Sequence, residues 1–317
     1  MRHQFNSLKN LQMKNLSKTT IQPSGKKEET ANFLTTIKGI VCRNGYGRAI
    51  SSGMKNKASQ VKGRFLSQIS LFCLITFGLF NAETVLACDN CTSYDNDDFQ
   101  IRKVQVTHHP YFAATVWEID VKGQAGNTIP TPAGQLHGAP VLGYVFPTTL
   151  CPTSVGFDKT EGILALALTS HPDFDDTPLW DESGDGNYDN DGAIWHPHWV
   201  VLVEDDRVEG GLSVKEFMED DQSVVLPPTN PGMPMYMDSP GFQVITDRRT
   251  IRVVVPDFRI RNNLDFQYDG VTCYMEVNTG GESSHGDGEM PMLGVYSVFS
   301  VGSGDLSLPY TVKKKRR

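Results

Sequence analysis

The sequence predicts an all-β protein, an antiparallel two-sheet β-sandwich with long loops and at most one short helix. Nine short runs rich in β-branched and aromatic residues carry this: IRKVQV, FAATVWEIDVKG, APVLGYVFP, EGILALALTS, HWVVLVE, FQVIT, TIRVVVP, GVTCYMEV and LGVYSVFSV, each bounded by Gly, Pro, Asn or Asp. In TVWEIDV, strict alternation puts Trp117, Ile119 and Val121 on one face and Glu118 and Asp120 on the other, as in a half-exposed antiparallel strand. ILALAL and VVLV are apolar throughout, so they read as strands covered on both faces. Helical patterns never alternate with these runs, which argues against a parallel α/β fold. The one helix expected is Ser213 to Glu219, where Ser213 and Glu216 have capping-box spacing.

In chain order, residues 1–63 are basic and rich in Ser, Thr and Asn, without apolar periodicity, and read as a disordered extension. Met54, followed by KNKASQVKGR, reads as the start of translation and a signal n-region; an organellar presequence is the alternative. Residues 64–87 form the hydrophobic and cleavage region of a signal peptide. The largely apolar run Ile69 to Phe80 is too short for the roughly 20 residues of a bilayer span, and Val85-Leu86-Ala87 ends in the small residues a signal peptidase reads. Residues 88–95 form a short linker with a Cys-x-x-Cys, residues 96–311 a single β domain, and residues 312–317 a basic solvated tail. A secreted, extracellular or periplasmic protein is therefore expected, with no stable membrane insertion after cleavage; lipid anchoring at Cys88 is the alternative.

Beyond residue 87 the chain keeps 16 Lys+Arg against 34 Asp+Glu, a net charge of −18. That balance argues against nucleic acid as a partner and for cations. Four cysteines remain there, and in an oxidising compartment the expected pairing is Cys151 with Cys273, with a local disulfide at Cys88 and Cys91.

Candidate functional residues concentrate between His171 and Trp199. Asp181-x-Ser183-x-Asp185-Gly186-Asn187-x-Asp189 resembles the first nine places of an EF-hand calcium loop, in which oxygen ligands at alternate positions converge around a turn that needs glycine. The resemblance is confined to this loop and fails at the twelfth place, where Gly192 stands; Asp191, or Asp173 upstream, is the substitute carboxylate. The resemblance implies bound Ca2+ without an EF-hand fold, against a plain solvated acidic loop. His196-Pro-His198 places two imidazoles on one side of a strand, half of a Cu or Zn site, with His171 as a further ligand. Met233-Pro-Met235-Tyr-Met237 and Met290-Pro-Met292 add soft thioethers, which also serve as gap fillers.

No nucleophile elbow, His-Glu-x-x-His, phosphate loop or dinucleotide fingerprint occurs. The expected function is thus a secreted metal-binding β-sandwich. The alternatives are a metal-dependent enzyme using the same His and Asp groups, and a calcium-stabilised module recognising a glycan or protein partner through exposed Trp180, Trp195 or Trp199.

Overall fold

The computed structural model describes residues 91–131, 136–171, 194–279 and 290–315. They form fourteen strands: β1 (Ile101–His109), β2 (Ala114–Val121), β3 (Pro140–Pro147), β4 (Ile163–Ser170), β5 (His196–Glu204), β6 (Leu212–Val214), β7 (Met237–Asp238), β8 (Val244–Asp247), β9 (Thr250–Pro256), β10 (Gln267–Tyr268), β11 (Val271–Val277), β12 (Leu293–Val301), β13 (Tyr310–Thr311) and β14 (Lys313–Lys314). All nine expected runs are strands, and the fold is all-β. No helix among the described residues is long and apolar enough to cross a membrane.

The architecture differs from two open sheets. One sheet has five strands in the order β14-β1-β2-β9-β8. The other runs β4-β3-β11-β12-β6-β5-β7, and β4 also pairs with β5, so β3, β4, β5, β6, β12 and β11 close into a six-stranded barrel. Two irregularities in the β11–β12 register supply the extra bend that closure needs. The weakest seam is between β12 and β6, joined at Gly294 and Ser213 and extended by the Gly210 amide donating to the Val295 carbonyl at 2.9 Å.

Side-chain alternation gives each barrel strand two jobs. Leu142, Tyr144 and Phe146 of β3, with Leu164, Leu166 and Leu168 of β4 and Trp199 of β5, face the five-stranded sheet and meet Val106, Trp117, Ile119 and Val253. Trp117 is wholly buried there, edge-on to Trp199 at 5.8 Å. The opposite faces point into the barrel: Val141 and Val145, Ala165 and Ala167, Val200 and Leu202, Cys273 and Met275. Large residues therefore fill the layer between sheet and barrel, while mostly small ones line the barrel interior.

Two sequence expectations are corrected. Ser213 lies in strand β6, not at a helix N-cap, because pairing to β5 and β12 overrides a short local capping signal. Cys151 and Cys273 are buried thiols that no disulfide joins; Cys273 sits in β11, facing the barrel interior, and Cys151 lies at the start of a 3₁₀ turn after β3. Lys313 and Lys314 of the basic tail are exposed, and their backbone pairs in parallel with Thr107 and His108 of β1. At the other end, Cys91–Tyr94 forms a 3₁₀ turn, with Cys91 disulfide-bonded to a partner outside the described residues and Tyr94 stacked on Tyr274 at 5.7 Å.

Candidate metal centre

The register of two neighbouring strands assembles three histidines. In the β4–β5 ladder Thr169 stands opposite His196, and Ala167 opposite His198. Directly opposed residues share a face, and residues two apart on a strand share it too. His171, two residues past Thr169, therefore joins His196 and His198 on the inner side, at one end of the barrel. Pro197 between them is tolerated because β7 begins pairing with β5 only at Trp199, so the missing N–H breaks no rung there.

The three rings are in mutual contact and almost wholly buried, with 2 to 4 % of their surface exposed. Centroids lie 4.5 Å apart for His171 and His196, 4.7 Å for His196 and His198, and 5.8 Å for His171 and His198. One donor atom from each falls within 4.8 Å of the others, and His171 Nε2 approaches His196 Nε2 to 2.7 Å. Among the described residues this is the one such group of His, Cys, Asp or Glu.

Outer contacts set which nitrogens face one another. His196 Nδ1 lies 2.8 Å from the Ile194 carbonyl, which can only accept, so Nδ1 carries a proton and Nε2 faces His171. Two bare lone pairs would repel at this distance, so the short Nε2···Nε2 contact holds one proton. His198 Nδ1 meets Ser239 Oγ at 3.0 Å. The Ser239 amide donates to the Thr229 carbonyl, and the Thr229 hydroxyl donates to Asp238 Oδ1 at 2.6 Å. A hydrogen-bonded outer shell that fixes tautomer and ring orientation is what metal-ligating imidazoles carry.

The geometry fits a small ion with modest adjustment. Two nitrogens on a tetrahedral ion at 2.0–2.1 Å stand about 3.3 Å apart, so the 2.7 Å pair must open by about 0.6 Å. That happens naturally when the shared proton leaves, since metal and proton compete for the same lone pairs.

Below the histidines a cavity of about 940 Å³ lies within and at the mouth of the barrel, and His171 and His198 line it. Met233, Met235, Met237, Cys273 and Met275 also line it. Burial pushes the Cys273 thiol up to about 12, so without an ion beside it the thiol stays protonated.

Other expected site residues fare differently. Asp173, Asp181, Ser183, Asp185, Asn187, Asp189 and Asp191 lie outside the described residues, as does Trp180. Trp195 and Trp199 are buried, Trp195 donating from Nε1 to the Gly126 carbonyl at 2.9 Å and packing on Tyr144, so neither forms an exposed recognition platform. The sequence reading missed the cavity and the Ser239 contact. Their only signal was the run of small inner residues in ILALALTS and the loop around Thr229.

Compared with known proteins, the chain matches no family model, no curated protein and no solved structure.

Proposed function

We propose that this is a secreted metal-binding β protein in which His171, His196 and His198 hold one zinc or copper ion. The observation that carries the reading is the convergence of three buried imidazoles, one of them oriented by a backbone carbonyl. Three neutral nitrogens leave a small d-block ion one coordination position open, and the adjoining cavity is where that position would face. Buried polar side chains at the end of an otherwise apolar barrel cost folding energy, and an ion that binds the native state offsets it. On this reading the molecule is a sandwich-like stack in which one of the two layers is closed into a barrel.

Ca2+ in the Asp181 to Asp191 loop, with Asp173 as an added carboxylate, remains part of the proposal on its sequence spacing. The open position keeps a metal-dependent enzyme as the second reading. Burial of Trp195 and Trp199 counts against the glycan or protein recognition module.

Elemental analysis of protein purified without chelator or affinity metal tests the centre. We predict about one Zn or Cu per chain, lost in the double substitution His196→Ala with His198→Ala; full retention of metal removes the histidines from the ligand set. Intact-mass measurement of the exported protein should give a start at Cys88, and an unprocessed N-terminus would overturn the assignment to a secreted compartment.

A further inference from the structure

A six-stranded barrel should have no room inside. Barrel bore grows with strand number, and even eight strands leave an interior that side chains fill or that holds one small ligand. Protein interiors rarely keep voids larger than a water molecule. Here about 940 Å³ lies within and at the mouth of the barrel, inside the range of small-molecule sites.

The cause is the distribution of residue size between the two faces of the wall. On β4 the outward positions are Leu164, Leu166 and Leu168, while the inward ones beyond Ile163 at the strand's start are Ala165, Ala167 and Thr169. The same inversion holds on β3, where Tyr144 and Phe146 face out and Gly143 and Val145 face in. A barrel packed for stability alone would place its bulk inside; this one keeps an apolar bore, and six strands hold it narrow. Flexible thioethers of Met235, Met237 and Met275 line it, side chains that adapt their shape to an occupant.

We propose that the barrel interior binds a slender, single-chain aliphatic carboxylate, with the chain in the bore and the head at the histidine end. The orientation follows from charge. The opposite end of β5 opens on Asp206, Glu209 and Asp305, and Arg207 there is already paired with Asp205 at 2.7 Å and Glu216 at 3.4 Å. A carboxylate is repelled from that rim. At the other end it meets imidazoles and the open position of their ion, so the placement of the head, though not the occupancy of the bore, rests on the metal centre proposed above.

The test uses the full chain and N-phenyl-1-naphthylamine, a dye that fluoresces in apolar surroundings. The dye should bind at about one per chain and be displaced by palmitate and laurate at least tenfold more effectively than by hexanoate. Val271→Phe, which fills the bore from β11 across from the histidines, should weaken dye binding at least tenfold while leaving bound metal per chain unchanged. Since that variant stands or falls with folding, the chain-length series on the unsubstituted protein decides independently. EDTA separates the two proposals: it should weaken palmitate but not its methyl ester, and dye binding should survive. Absence of dye binding to the unsubstituted protein, or equal displacement by hexanoate and palmitate, overturns the cavity proposal whatever the metal content. Dye binding with chain-length dependence in a protein that holds no metal supports the cavity and removes only the metal centre.

Discussion

Asp269 is wholly buried, yet it is a carboxylate, and burial pushes its pKa above the ordinary range even though Ser303 and the Gly270 amide donate to it. A group that holds its proton more tightly when folded favours the native state at low pH. That contribution is lost as pH rises from the unfolded value, about 3.9, through the higher folded one. Asp269→Asn removes the ionisation and keeps an oxygen to accept from Ser303 and Gly270. We predict melting temperatures equal to the parent's near pH 3 and higher than the parent's at pH 7, with the gap opening above about pH 4. Parallel pH curves would show that Asp269 ionises as freely in the fold as in the unfolded chain. The histidines illustrate what a single residue shows in sequence: His196-x-His198 was legible because strand periodicity fixes their common side, and His171 joins them through the β4–β5 register.

At the scale of elements, the nine expected strands were legible because four or more consecutive residues carry the β-rich, period-two or all-apolar signal. β6, β7, β10, β13 and β14 were not, since two or three residues hold no period and pair only because long strands lie beside them. Barrel closure was hidden for the same reason, being decided at a short seam. A Cβ at Gly210 would overlap the Val295 carbonyl that its own amide contacts, so the seam requires glycine there. We predict that Gly210→Ala costs about 1–3 kcal/mol as an overpacked site, a fall of roughly 2–10 °C in melting temperature for a domain of this size. An unchanged melt would mean that β6 and β12 need not approach so closely. The failed disulfide has its reason at this scale too: Cys273 is committed to the inner face of a strand and Cys151 to the turn after another, and spacing in sequence says nothing of that.

At the scale of the whole molecule, both candidate metal sites belong to one connection, since His171 follows β4, His196 opens β5, and the acidic segment from Asp181 to Asp191 lies between them in sequence. An ion held by His171 and His196 ties the two ends of that connection together, and a ligand that binds only the native state stabilises it by about 2.7 kcal/mol at a hundredfold excess over its Kd. In a domain this large that is roughly 5–10 °C. The two sites differ in ligand chemistry, oxygen for calcium and imidazole for zinc or copper, so their responses should separate. We predict that Asp185→Ala abolishes the rise in melting temperature on adding Ca2+ but leaves the bound Zn or Cu in place. Conversely, His196→Ala with His198→Ala should abolish the transition metal and keep the Ca2+ response. If either set of substitutions removes both responses, the carboxylates and imidazoles form one composite site, and the open coordination position toward the barrel is closed by an aspartate. If Ca2+ has no effect on the unsubstituted protein, the acidic segment is a solvated loop and the chemistry of the molecule rests on the three histidines alone.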